Sequence, residues 1–216
     1  MIANILSLNN IIKWLLDLLM LAPALLIALT FHEYAHGAVA NMLGDPTAKE
    51  AGRLSLNPLR HLDPVGTMML AIFHFGWGKP VPIDSRYFKR PRLDTALVSL
   101  AGPATNFTLA ALFGLLIKFQ VVPIPAQGDN IGLLLRLVLM TVQINIVLGV
   151  FNLLPLPPLD GSRLVSAMLP ESMLKHYRAI EGYGIAIIFV SIYFFPGRLI
   201  GLFEPFINFF QHLFLA

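Results

Sequence analysis

Residues 32 to 36 read His32-Glu33-Tyr34-Ala35-His36 and lie inside an apolar run. On a helix, positions i and i+4 share one face, so the two imidazoles can hold a single Zn²⁺ while Glu33 polarises a water beside it. That constellation suits metal-assisted hydrolysis of an amide. The flanks 18–31 and 37–43 carry no charged residue, which places three ionisable groups in or near lipid. Such groups are costly there and mark function by default. A polar contact within a helix bundle would account for one such residue, but poorly for three on one helix.

Catalytic zinc usually takes three protein ligands and keeps a fourth position for water. The chain has no cysteine, so the third ligand must be His, Asp or Glu. Asp160 is favoured over His61, Asp63, His74 and Asp84 because it ends a second apolar span. The prolines of Pro155-Leu156-Pro157-Pro158-Leu159-Asp160-Gly161 break that helix and let the carboxylate aim sideways into the bundle. Gly161 permits close approach of a neighbouring backbone. The competing reading of Asp160 is a turn residue in Leu-Asp-Gly. Asn145 and Asn152 suit hydrogen bonds between helices, and 101–106, Ala-Gly-Pro-Ala-Thr-Asn, reads as a small-residue packing surface.

The elements that must position these groups follow from composition. Of 216 residues, 56% are hydrophobic and only 12% charged, and the mean hydropathy is +0.73. An average soluble domain is about one quarter charged, so this is a polytopic, all-α membrane protein. Residues 1–216 are expected to form a single transmembrane domain, with a core at about 18–165 and C-terminal helices at about 180–214. The net charge of +3 comes from basic residues spread over short loops, without aromatic interleaving. Membrane topology explains them better than nucleic acid does. The apolar run after Lys13 continues into His32, and is expected to be retained rather than cleaved as a signal.

Residues 18–43 would extend about 39 Å as a helix, enough to cross a hydrocarbon core of about 30 Å. Gly44-Asp45-Pro46 ends that span. Gly52-Arg53-Leu54-Ser55-Leu56-Asn57-Pro58 predicts a short extended segment and a turn. The apolar run 65–77 is too short to cross and is expected to re-enter. Further spans are expected at 95–117 and 132–155, with a loop and short helix at 164–179. A shorter span is expected at 182–195, and 199–214 would span or lie at the interface. The aromatic stretch 203–214 reads as lipid-facing. If 65–77 dips in and returns, the basic loops 44–64, 78–92 and 156–179 fall on one side, the cytosol by the positive-inside rule.

In combination these motifs resemble the site-2 protease family of intramembrane zinc metalloproteases, in its compact prokaryotic form. The matching residues are His32-Glu33-Tyr34-Ala35-His36-Gly37, Gly52 to Pro58, Ala101-Gly102-Pro103 with Asn106, and Asn152 through Pro155 and Pro157 to Gly161. The resemblance implies that His32, His36 and Asp160 hold one zinc ion and that Glu33 is the general base. It implies that Asn152 steadies the substrate or the oxyanion. It further implies a small strand-rich element, from Arg53 to about Pro82, that dips into the membrane and to which an unwound substrate adds a strand. The expected activity is cleavage of transmembrane segments of membrane proteins, from a multi-pass position in the inner membrane with the site towards the cytosol. The family's PDZ domain has no counterpart in these residues. A metal transporter using the same ligands, or an inactive scaffold, are the rival readings. A transit site would not need Glu33 beside its first ligand, and the sequence shows no inverted repeat.

Overall fold

The structure, a computed structural model, describes residues 8–73, 76–124, 132–179 and 181–215. Helix α1 spans Leu8–Met42, followed by a single turn α2 (Thr47–Glu50), α3 (Pro64–Phe73), α4 (Pro91–Lys118) and α5 (Leu133–Asn152). Helices α6 (Asp160–Met168), α7 (Glu171–Ala179), α8 (Gly184–Phe194) and α9 (Pro196–Leu215) complete the described chain. Among the described residues three segments are long and apolar enough to cross a membrane: Leu18–Met42 within α1, Pro91–Lys118 and Leu133–Asn152. Helix α8 has 11 residues, about 17 Å at helical rise, and falls short of a span of its own. The protein is therefore a membrane protein built on a bundle of apolar helices.

Helix α1 stops where the chain turns left-handed. Gly44 has φ +105°, and the Asp45 N–H reaches back to the Ala40 carbonyl at 3.0 Å, satisfying a helix-end acceptor as a glycine cap does. Asp45 is fully buried. Its Oδ1 accepts from the Thr47 N–H at 2.9 Å and its Oδ2 from the Asp84 N–H at 2.7 Å. That carboxylate therefore ties the end of α1 to a loop far along the chain.

The strand-rich re-entrant element is not what forms. Among the described residues, β-pairing is confined to one isolated antiparallel bridge between Leu62 and Gly78. The apolar run instead coils as α3. Pro64 stands at its first position, and Asp63 Oδ1 accepts from the Gly66 N–H at 2.8 Å as an N-cap. The physical reason is that an apolar stretch beside lipid must satisfy its own backbone, and a helix does so within the segment whereas a lone strand cannot. The excursion returns to its origin. Lys79 N–H donates to the His61 carbonyl at 2.9 Å, so residues 62 and 78 meet and α3 does not carry the chain across. His74, one of the alternative ligands, lies outside the described residues.

Helices α1 and α4 pack antiparallel, since His36 meets Val98 while His32 meets Asn106. Helix α5 packs against both. The core below the site is Ala110, Val142, Ile146, Val150 and Phe203. The aromatic C-terminal run is thus only partly lipid-facing. Phe203 is buried, and Phe210 stacks on Phe107 of α4 with centroids 4.2 Å apart, while Phe206 and Phe209 remain exposed.

After α5 comes the proline-rich link 153–159, and α6 begins at Asp160 itself. Gly161 makes that packing possible. A Cβ there would overlap the carbonyls of Leu153 and Leu154. At the far end of α6, Arg92 of α4 donates to the carbonyls of Ser166, at 3.1 Å, and Leu169. Short α6 is thereby held at both ends. Gly161→Val should destabilise the protein by about 1–3 kcal/mol or more through overpacking, read as a lower midpoint of thermal unfolding in detergent.

Candidate metal centre

Three groups converge from two distant parts of the chain. His32 and His36 lie one turn apart on α1, with Nε2 atoms 3.0 Å from each other. Asp160 Oδ2, from the first turn of α6 and 124 residues from His36, is 3.1 Å from each Nε2. All three side chains are buried. At about 1.5 Å per residue, His36 and His32 stand roughly 9 and 15 Å below the end of α1, so the cluster lies inside the span.

The outer nitrogens of the two rings face polar partners. His36 Nδ1 is 2.7 Å from the Val98 carbonyl, which can only accept, so Nδ1 carries a proton and a lone pair for a metal can come only from Nε2. His32 Nδ1 is 2.6 Å from Asn106 Oδ1. Two imidazole nitrogens and a carboxylate oxygen thus face one another at 3.0 to 3.1 Å. A cation is what such a triangle accommodates. Zinc bound to nitrogen and oxygen at about 2.0–2.2 Å spaces its tetrahedral ligands by about 3.3 Å, so the observed edges need to open only slightly. These residues fit the metal, and they are the one group of three or more His, Asp or Glu side chains among the described residues that could hold one.

The alternative ligands are engaged elsewhere. His61 is fully buried and directs Nε2 to the Ser55 carbonyl at 2.6 Å. Asp63 caps α3. Asp84 pairs with Arg86 at 2.6 Å, and hydrogen bonds from that guanidinium hold its carboxyl below the ordinary carboxylate range.

Glu33 is half-buried beside the first ligand. Its Oε2 accepts from the Val81 N–H at 3.0 Å. That extended segment is itself held by buried Arg53, whose Nη2 and Nη1 donate to the carbonyls of Lys79 at 2.6 Å and Pro80 at 3.2 Å. The Gly-Arg-Leu-Ser stretch therefore meets the site through the backbone rather than as a strand. Asn152 ends α5 half-buried, its Nδ2 donating to the Leu148 carbonyl at 3.0 Å. It is not among the side chains hydrogen-bonded to the three converging groups.

Two residues read from sequence as part of a packing surface and of the family resemblance, with no role assigned at the site, touch the centre directly. Asn106 bonds His32, and Gly102 lies across both rings. A Cβ at Gly102 would fall 2.5 Å from His36 Nε2 and 2.6 Å from His32 Nε2. Glycine and asparagine four apart on one helical face were a signal of this contact, since i and i+4 present to the same neighbour. Gly102→Ala should lower zinc affinity by at least about 10-fold, as loss of supporting geometry does, measured as metal retained after dialysis against a chelator.

Comparison with known proteins agrees with this chemistry. A family model described as Peptidase family M50 matches residues 20–195. The “Putative zinc metalloprotease YwhC” of Bacillus subtilis is 41% identical over 177 residues, covering 82% of this chain and 80% of that protein. The “Putative zinc metalloprotease Rip2” of Mycobacterium tuberculosis is 31% identical over 185 residues, covering 82% of this chain and 67% of that protein. No solved structure gives a significant match. With a buried His-His-Asp cradle and a glutamate next to its first ligand, the chain belongs to peptidase family M50 and is a zinc metallopeptidase of the membrane.

Proposed function

We propose that the protein is an intramembrane endopeptidase that cleaves transmembrane segments of membrane proteins, with His32, His36 and Asp160 as the zinc ligands and Glu33 as the general base. The observation that carries this reading is the depth of the cradle: its ligands stand inside a membrane-spanning helix, away from any soluble substrate. Zinc held there supplies Lewis-acid polarisation of a carbonyl and acidifies water. Glu33 takes a proton from the attacking water as the new C–O bond forms, and delivers it to the amine nitrogen as the C–N bond breaks. The Val81 N–H anchors Oε2, which leaves Oε1 to face that water. Asn152, at the last turn of α5, turns its amide to the substrate carbonyl and stabilises the oxyanion. A helical substrate hides its peptide bonds, so it must unwind locally before it reaches the site.

On this reading the site faces the cytosol. Residues 43–90 leave and rejoin the same end of the bundle, and 153–179 leave from that end too, so Lys49, Arg53, Arg60, Lys79, Arg86, Lys89, Arg90, Arg92, Arg163, Lys175 and Arg178 share one side. Lys118 and Arg136 flank the opposite end. By the positive-inside rule the rich side is cytosolic, in an inner membrane.

Purified protein in detergent, offered a single-span model substrate, tests the assignment. Glu33→Gln should keep its zinc and lose about 10²–10⁴-fold in cleavage rate. Asp160→Ala should lose both zinc and cleavage. Full cleavage by Glu33→Gln would end the assigned role of the base, and zinc flux in proteoliposomes without proteolysis would favour a transporter. For Asn152→Ala, kcat should fall roughly 10²-fold with zinc content unchanged; an unaltered kcat removes it from the catalytic set.

A further inference from the structure

Asn106 of α4 and Asn145 of α5 are both completely buried, and their amides form one connected chain that ends on the first zinc ligand. Asn145 Nδ2 donates to the Thr141 carbonyl at 2.8 Å. Asn106 Nδ2 donates to Asn145 Oδ1 at 2.8 Å and to the Ala28 carbonyl of α1 at 3.2 Å. Asn106 Oδ1 lies 2.6 Å from His32 Nδ1.

The direction of every bond in this chain follows from its ends. The carbonyls of Thr141 and Ala28 can only accept, so the Asn145 and Asn106 nitrogens must face them, and both amide flips are thereby decided. Asn106 then presents its oxygen to His32. Both hydrogens of the Asn106 amide are committed, one to each acceptor, so it has none to offer the ring. His32 Nδ1 must be the donor, which leaves Nε2 as the nitrogen that can offer a lone pair to a metal.

We propose that Asn106, held in orientation by Asn145, is a positioning residue that presets the His32 ring and tautomer for zinc before the metal arrives. This rests on the zinc reading of the cradle and extends it across three spans, since α1, α4 and α5 each contribute to the chain. A ligating histidine whose second nitrogen is fixed loses less freedom on binding, and removal of such a partner typically weakens metal affinity by about 10–100-fold. Simple interhelical glue would act otherwise. It would change the stability of the zinc-free protein and leave its affinity for zinc alone.

Zinc affinity, measured by competition with a chromophoric chelator, separates the two roles when combined with thermal unfolding of the zinc-free protein. Asn106→Leu should bind zinc about 10–100-fold more weakly, with an altered visible spectrum of the Co²⁺-substituted protein. Asn145→Leu, which leaves the His32 bond in place but frees the amide, should weaken binding in the same direction and by less. Nitrogen-15 NMR of the zinc-free wild type requires no variant: His32 should show a protonated Nδ1. Variants that hold zinc as tightly as the wild type, or a wild-type His32 protonated at Nε2, overturn the proposal. A wild type that binds no zinc would instead sink the reading of the cradle itself.

Discussion

Two imidazole nitrogens and one carboxylate oxygen meet within 3.1 Å of one another in the interior of a helix bundle, and the rest of the structure serves that contact. Lone pairs packed this closely repel, and burial weakens the screening that bulk water would give. A divalent cation turns the same arrangement into an attractive one. The site is therefore not a collection of polar residues tolerated inside a membrane protein. It is an electrostatic problem with a metal as its solution, and that is why both rings are anchored at Nδ1 and open at Nε2.

The surrounding helices supply two further conditions. Helix α4 must approach α1 closely enough for Val98 and Asn106 to reach the histidines, and Gly102 makes room by having no side chain to set against the rings. Helix α6 must begin directly beneath the end of α5, and Gly161 allows that by nesting against the Leu153 and Leu154 carbonyls. Both glycines act through volume rather than through unusual backbone angles. The consequence is a centre whose three candidate ligands come from helical positions, which suits the fixed geometry that metal chemistry requires.

The proposed general base depends on a different part of the chain. Glu33 projects from the same helix as the histidines but is steadied by the Val81 N–H, and the Val81 segment is steadied by Arg53. A loop excursion that contains α3 and returns on itself thus forms one wall of the site. In place of the expected strand-rich element stand a helix and an extended return, because a run beside lipid satisfies its backbone most readily from within.

Much of this was legible in the amino-acid sequence. The apolar composition and the spacing of His32, Glu33 and His36 are local properties, so they determined the class of protein and placed two candidate zinc ligands and a candidate base on one helix. The prolines that break the second apolar span just before Asp160 pointed to it as the third candidate ligand. Only tertiary structure decided that Asp160 lies within 3.1 Å of residues 124 or more positions away, because that distance depends on how α1, α4 and α6 pack and not on any one segment. It likewise decided that Asn106 and Gly102 touch the rings and that Asn152 bonds its own helix. Periodicity reports which face a residue occupies but not which neighbour that face will meet, and the chemistry of this centre resides in those meetings.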